Sequence, residues 1–553
     1  MENEELLNLS EVRFVERSNV VQLYKQVAEQ ASQLGFDIYD YYTLFTDAPT
    51  NALIRSGNTI GCFYIESPGM RSLLQKLNTD TFEMLTAASS IIRPGVAESG
   101  MMQEFIARHR DPARRVYLVP EMQKYLGETY GVMVYQEDVI KVAHHIAGLS
   151  LEEADLLRRA MSGKMRSKKA MEEIENRFFS SCKDKGLKPF VSNELWRQIK
   201  SFAGYSFCKA HSASFALLSY QVTYLKAHFP AEFMASVLTN RGGYYAPAVY
   251  ISEAKRMGLT IYLPCVNRSE YHYKGKGRRM RIGFMAIKHL TYTAVEAILS
   301  VRKEVGSFTG LYHFLLTTEI GKADAVALAQ CGAFDTFGLT RPVLLRKIDI
   351  FFHQRKEHET GMQNLFAEED TKIEQQVGDA PEFSIEQRCF AEMEAFDYIV
   401  SRHPLDFFPS VTAGSDIVQA KDLPKLSGKR VKLVGWFVSS KRTKTKKGEI
   451  MKFLSLEDKT ATFEAILFPK VYATVAEKTI SMGPYIVQGV VDREMPSNIV
   501  VEQLDVVSLA DVKLGIQWDS YEKQYGDSER VSEEELELVK TLDVVKMRLA
   551  YAG

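Results

Sequence analysis

The chain has 553 residues, 46% of them hydrophobic and 25% charged, a composition that excludes a disordered chain and points to several folded domains, about three or four by length. Its formal net charge is −1, so any nucleic-acid binding has to come from local basic patches and not from a basic chain as a whole. No run of about 18 apolar residues occurs and the opening MENEELLNLSEVRF is acidic, which argues against a membrane span and a secretory signal; Cys62, Cys182, Cys208, Cys265, Cys331 and Cys389 are scattered without a CxxC pair, which argues against a zinc site, for reduced thiols and for a cytoplasmic setting.

In chain order, Ser18 to Leu34 has the pattern of an amphipathic helix, and Asp40 to Asn58 is a polar-apolar mixture too short for a domain of its own. Leu149 to Lys169 follows, with Ser150 and Glu153 as a capping box and Gly163 where a helix C-cap belongs. The predicted helix carries Arg158 and Arg159, which point about 100° apart, leaving one to contact phosphate and the other to brace. Lys164, Arg166, Lys168 and Lys169 come next with no carboxylate before Glu172. Such a run is usually a solvated face, but arginine also favours bidentate phosphate contacts. From Phe202 to Thr239 a polar loop hinged at Gly204 precedes a long apolar helix. Tyr205, Phe207, Lys209 and His211 fall in that loop, two aromatic faces and two cations that suit a base and its phosphates; Phe215, Leu218, Val222 and Leu225 recur at helical spacing until Pro230 ends the helix and opens another. The same segment also reads as a buried helix with an aromatic-rich first turn.

These residues carry a resemblance. The phrases GVMVYQE (131–137), ADLLRRAM (154–161), FAGY (202–205), YQ (220–221), LKAH (225–228) and PAEFM (230–234), with IESPGMR (65–71), RPG (93–95) and SGM (99–101) upstream, resemble in the same order the fingers of bacterial C-family DNA polymerases, the polymerase III alpha subunits. The likeness is strong from about Ile60 to Asn240 and looser from there to about Val507. It implies that Arg158, Arg159, Tyr205, Lys209 and His211 face the incoming nucleotide and the templating base pair, with a DNA primer–template as partner; Lys164 of the basic run is a further nucleotide- or DNA-binding candidate. The family usually has Asn where this chain has Cys208 and Ser where it has Ala210, which removes polar contacts from the loop. Family members are about twice as long and hold Mg2+ through palm aspartates. Val12 to Val15 can be laid on the last palm strand with Val15 at the third aspartate, so no catalytic residue and no metal ligand is expected in this chain, and a separate palm-bearing half becomes an expected partner. A non-catalytic DNA-binding or clamp-associated protein derived from such a polymerase is the alternative.

The domains that follow from this are a lead-in at 1–59, fingers at 60–240, a helical region at 241–355, a linker at 356–428, an OB-fold at 429–510 and a tail at 511–553. In the helical region two short helices are expected between Ile282 and Lys303, joined at His289 to Thr293. A helix-hairpin-helix stands there in the family, but Leu290 to Thr293 has none of the glycines that let backbone N–H groups approach phosphate, which favours a plain hairpin. Asp324 to Ala333 resembles the family's helix leading into Cys331 to Asp335. In the polar linker, GMQNLF (361–366) resembles the Gln-x-x-Leu-Phe peptide that binds the sliding clamp, with Met362 in the Gln slot and Leu365 and Phe366 as anchors, a pattern that implies weak binding or mere packing on a neighbour. Five strand-like runs, Arg430 to Ser440, Met451 to Leu456, Thr462 to Phe468, Tyr485 to Val491 and Ile499 to Val506, suggest an OB barrel. Between the first two, Lys441, Arg442, Lys444, Lys446 and Lys447 form a basic loop where OB-folds take single-stranded DNA, with Trp436, Phe453 and Phe463 as candidate stacking partners or core; a solvated hairpin is the plainer reading. Ser532 to Leu549 has the pattern of a capped helix. The expected fold class is therefore multidomain, mainly α through the fingers and helical-hairpin regions, then a small all-β OB-fold barrel.

Overall fold

The computed structural model describes residues 37–93, 100–161, 168–200, 208–358, 380–445 and 447–507; the Ser18 to Leu34 segment, the 361–366 peptide and the Ser532 to Leu549 helix lie outside them. The described residues fall into two compact bodies, divided between His228 and Phe229.

The first body is helical. The carboxylates of Asp40 and Asp47 accept from the backbone N–H groups of Thr43 (3.1 Å) and Thr50 (2.9 Å), and so start α1 (Tyr41–Thr46) and α2 (Ala48–Ser56). The stretch read as a polar-apolar mixture is thus two capped helices. Then come α3 (Pro68–Leu77), α4 (Phe82–Ile91), α5 (Met101–Arg110), α6 (Glu121–Leu126), α7 (Gln136–Lys141), α8 (Leu151–Met161), α9 (Lys168–Asp184), α10 (Pro189–Lys200) and α11 (Lys209–His228). The capping box at the start of α8 forms as expected: Glu153 N–H donates to Ser150 Oγ at 3.1 Å and Ser150 N–H to Glu153 Oε2 at 2.8 Å.

Helix α11 packs against α2 and α4 at the centre of this body. Its buried residues include Ser212, Ala216, Ser219, Gln221, Thr223 and Lys226, whereas Phe215 and Leu218 of the expected apolar stripe are only half-buried. Thr223 Oγ1 bonds back to Ser219 O within the helix (2.6 Å), and the other polar groups on that face meet partners elsewhere in the body. Ser212 Oγ lies 2.6 Å from Ser90 Oγ, Ser219 Oγ donates to Phe63 O (3.0 Å), Tyr220 Oη to Asn51 Oδ1 (3.1 Å), Gln221 Nε2 to Ile38 O (3.0 Å), and Lys226 Nζ to Asn58 O (2.9 Å) and Ile60 O (2.8 Å). Buried polar groups are tolerable only when satisfied in this way.

The second body opens with α12 (Pro230–Asn240) and α13 (Pro247–Arg256), which pack on a small sheet of β1 (Thr260–Tyr262), β2 (Lys274–Lys276) and β3 (Arg279–Arg281) in the order β1-β3-β2. The pair of short helices expected between Ile282 and Lys303 is instead one 3-10 turn, Phe284–Ala286, and one helix, α14 (Tyr292–Val305). Thr291 ends the intervening loop by capping α14, its side chain accepting from Ala294 N–H (3.2 Å) while its own N–H donates to Asp324 Oδ1 (2.8 Å). The helices α15 (Leu311–Thr318), α16 (Lys322–Gln330), α17 (Arg341–His358) and α18 (Ile385–Phe396) follow.

The barrel consists of β4 (Arg430–Lys444), β5 (Ile450–Glu457), β6 (Thr462–Leu467), β7 (Tyr485–Val491) and β8 (Asn498–Val506), closed in the order β4-β5-β6-β8-β7, with a short helix, α19 (Pro469–Val475), between β6 and β7. Only β6 and β8 run parallel, the OB arrangement expected from the five runs. A register shift between Phe437 and Ser439 lets the long β4 pair first with β7 and then with β5. Leu433, Leu454, Leu456, Ala465, Leu467, Tyr485, Val487 and Ile499 fill the interior. Helix α13 reaches this barrel through a buried ion network, in which Arg256 pairs with Glu457 of β5 at 2.7 Å and with Glu253 at 3.0 Å, and His403 Nε2 lies 3.8 Å from Glu457. Burial pushes the Glu457 carboxyl up, but Arg256 and then His403 outweigh it and hold it below the usual carboxylate range.

Among the described residues no helix is long and apolar enough to cross a membrane. All six cysteines are free thiols, five of them buried, and burial pushes Cys331 and Cys389 each up to about 12.

Candidate nucleotide and nucleic-acid interface

In the first body, three sequence-distant segments meet at the start of α7. Gly131, at φ 79°, makes the turn ahead of it, where a Cβ would sit 2.8 Å from the Tyr117 ring. Asp138 then fixes the N-terminus of α7 by accepting from Val134 and Tyr135 N–H, both at 2.9 Å; burial keeps its carboxyl above the usual range despite those bonds. Gln136, now in the first turn, accepts from Arg158 Nη1 at 3.1 Å. Glu137 accepts the Lys209 N–H on both oxygens, at 3.1 and 3.0 Å, and so occupies the N-terminus of α11, where an anion is favoured. The Lys209 side chain lies over the Tyr135 ring, 5.5 Å from its centroid, and pairs with Glu128 at 2.8 Å.

Arg158 and Arg159, which point apart along the helix, nevertheless reach the same carboxylate one turn back: Arg158 Nη2 lies 2.8 Å from Asp155 Oδ1 and Arg159 Nε 2.7 Å from Oδ2. The Arg158 hydrogen bond, ahead of the attraction of both guanidiniums, holds the Asp155 carboxyl below its ordinary value. Lys209 and His211, expected in a loop, stand instead in the first turn of α11. His211 sits among aromatic rings. It packs edge-on against Phe215 (4.3 Å between ring centroids), beside Tyr64 and Phe63 at 4.7 and 5.5 Å from Phe215, with Arg93 over the Tyr64 ring at 5.4 Å and donating to its hydroxyl. Burial, then the Arg93 charge, lowers its pKa. Lys164 and Tyr205 lie outside the described residues.

The structure thus adds Glu128, Tyr135, Gln136, Glu137, Arg93 and Tyr64 to the residues picked from sequence. Tyr135 to Glu137 and Arg93 stood inside the matching phrases, but nothing in their local pattern tied them to Arg158 or Lys209. Asp155, Glu137 and Glu128 each direct both oxygens to arginine, lysine or backbone N–H donors, so this carboxylate set does not fit a magnesium site. Among the described residues no group of three or more His, Cys, Asp or Glu is placed to hold a metal ion.

In the second body, β4 runs further than expected, so Lys441, Arg442 and Lys444 lie in the strand, opposite Phe453, Lys452 and Ile450 of β5. The connecting turn is only 445–449; Lys447 lies in it, exposed, ahead of Gly448 at φ 84°, and Lys446 lies outside the described residues. Lys441 and Lys444 are exposed, while Arg442 is half-buried and its charge acts on the Tyr472 hydroxyl. Of the aromatics, Phe463 belongs to the barrel core and Trp436 is covered by Leu405, Phe407 and Phe408, so neither is a stacking platform. Phe453, half-buried beside Lys441, is open to one.

Comparison with known proteins gives a common answer. The family described as bacterial DNA polymerase III alpha subunit finger domain matches residues 19–186, and the helix-hairpin-helix motif matches 258–344, so that pattern is recognisable without glycines at 290–293. The DNA polymerase III subunit alpha of Staphylococcus aureus (strain MSSA476) is 30% identical over 513 residues, covering 92% of this chain and 47% of the relative. That of Campylobacter jejuni is 33% identical over 438 residues, covering 76% of this chain and 36% of the relative. The chain therefore spans about half the length of the S. aureus relative it matches, across the fingers, the helix-hairpin-helix region and the barrel, and it belongs to the family of bacterial DNA polymerase III alpha subunits.

Proposed function

We propose that this chain supplies the nucleotide- and template-positioning part of DNA-directed DNA synthesis, while the metal-binding carboxylates come from palm residues outside this sequence. The observation that supports this is the convergence of Arg158, Gln136, Glu137 and Lys209 on the N-terminal turns of α7 and α11. The pairs Lys209–Glu128 and Arg159–Asp155 are solvent-exposed, so a triphosphate competes for their cations at small cost. His211 stands in the same first turn of α11 and offers the nucleotide a ring face and a ring nitrogen. The carboxylate partners keep these cations from binding anions indiscriminately; the nucleotide must bring more charge than they do. A cytoplasmic setting follows from this role. The test is primer extension by the 553-residue polypeptide with and without a palm-bearing polypeptide: no synthesis alone and synthesis on mixing is expected. Extension by the chain alone, or no rescue by any such partner, would overturn the proposal, the latter in favour of a non-catalytic DNA-binding role.

The barrel, in this proposal, takes single-stranded template along the β4–β5 hairpin. Replacing Lys441, Lys444 and Lys447 with Gln is expected to lower the slope of log affinity against log salt for an oligothymidylate by about 2, since each phosphate contact on a single strand contributes about 0.7. An unchanged slope makes the hairpin a solvated one. The sliding clamp is proposed as a weak partner through Leu365 and Phe366, which lie outside the described residues; Met362→Gln should tighten binding, and a pull-down indifferent to Leu365→Ala with Phe366→Ala counts against it.

A further inference from the structure

The three-stranded sheet of the second body has one face turned inward, with Met280 fully buried and Gly275 so close to α12 that a Cβ would lie 2.0 Å from Ala231 O. Strand alternation then sends Lys274, Lys276, Arg279 and Arg281 to the opposite face with Thr260 and Tyr262. The antiparallel register sets Lys274 directly opposite Arg281 and Lys276 directly opposite Arg279. Like charges placed so destabilise a sheet, and the close seat of Gly275 prevents β2 from slipping to separate them. Lys274, Lys276 and Arg279 are exposed, and none of them pairs with a carboxylate among the described residues. Arg278, at the turn, is exposed as well while it donates to Met257 O at 2.7 Å. Glu232 reaches this turn with one oxygen, Oε1, which accepts from the Gly277 N–H at 2.9 Å, while its Oε2 is buried and meets none of these cations.

We infer that this sheet face is a docking surface for the phosphate backbone of duplex DNA, separate from the basic hairpin of the barrel. The inference rests on the reading of the chain as a DNA-positioning part of a polymerase. Outward side chains repeat about every 6.8 Å along a strand and about 4.8 Å across strands, so the cations form a grid that answers a row of phosphates and not a single one. A duplex is the occupant because the face has no free stacking platform for unpaired bases: its one aromatic, Tyr262, already carries Arg281 over its ring at 4.9 Å. A polyanion also relieves the repulsion between the facing cations.

The experiment uses the full chain and the triple variant Lys274→Gln, Lys276→Gln, Arg279→Gln, leaving Arg281, which donates to Leu263 O at 2.9 Å. Fluorescence anisotropy with a labelled duplex hairpin and a labelled oligothymidylate, across a series of NaCl concentrations, is expected to show the duplex slope falling by about 2.7, three contacts at about 0.9 each, with the oligothymidylate slope unchanged. The free variant should melt no earlier than the parent, because it loses only repulsive pairs. An unchanged duplex slope overturns this face and leaves the wider reading standing; a change confined to oligothymidylate overturns the duplex assignment; earlier melting with an unchanged slope makes the cations structural. A parent chain that binds neither probe overturns both this inference and the proposed function.

Discussion

Replacing Arg256 with Ala is expected to destabilise the second body by about 3–5 kcal/mol, the largest stability loss foreseen for a single exchange in this chain. Arg256 and Glu457 are 11% and 4% exposed, and the guanidinium also holds Glu253, so its removal takes the arginine partner from two desolvated carboxylates, one of them next to His403. The cost comes from the desolvated Glu457 charge more than from the lost attraction. Converting the pair together, Arg256→Met with Glu457→Leu, should therefore recover most of the stability. Denaturant titration of the three proteins measures this, and a double variant no better than the single one would show that shape and not charge is at stake. The pH dependence has a fixed sign. Because the Glu457 pKa is depressed by folding, its contribution is complete above the unfolded-state value of about 4.3 and disappears as pH falls through the lower folded value. Arg256→Ala should erase that loss in acid.

Arg158→Ala is expected to lower kcat/KM for the incoming nucleotide by about 10²-fold in the reconstituted synthesis reaction, the scale of losing one preorganised charged donor at a reacting phosphate. Arg158 is the better held of the two arginines, with Asp155 and Gln136 fixing two edges of its guanidinium, whereas Arg159 has Asp155 and is 61% exposed. Arg159→Ala should accordingly cost less, and Arg158→Lys should rescue little, because an ammonium cannot hold both partners in one plane. Gln136→Ala separates orientation from charge: it keeps the cation but frees its direction, so it should raise KM more than it lowers kcat. Equal effects of Arg158→Ala on correct and incorrect nucleotides would mean that the contact is to phosphate, and discrimination between bases would place it elsewhere.

The barrel was legible from sequence because strand alternation and turn residues are local: four of the five predicted runs end within two residues of the observed strands, and only β4 extends well past its predicted end. Lys441 to Lys444 look like a loop by charge, yet pairing with Ile450 to Phe453 continues the ladder across them, a tertiary effect that composition does not carry. The Ser150–Glu153 box and the Pro230 boundary were equally local and equally visible. The shared carboxylate Asp155 was also within reach, since i+3 and i+4 spacing from one residue brings both arginines back to it. The helical state of Lys209 and His211 was not, because the carboxylate that caps α11 belongs to Glu137, 72 positions earlier. The basic sheet face escaped notice for a different reason: three-residue strands are too short for alternation to register.

The polar tethers along α11 have a consequence for how this body moves. Hydrophobic faces can slide past one another by small amounts with little loss, but the bonds from Ser219, Tyr220, Gln221 and Lys226 are directional and reach three separate stretches of chain, at Ile38, at Asn51 and from Asn58 to Phe63. A shift of the helix by one residue breaks all of them at once. With Ser212 Oγ also 2.6 Å from Ser90 Oγ of α4, helices α2, α4 and α11 should open together, and their amides should exchange with solvent as one cooperative unit. Lys209 and His211 ride at the end of that unit, so any repositioning of their turn should be a rigid displacement of the whole block and not a local flexing of a loop.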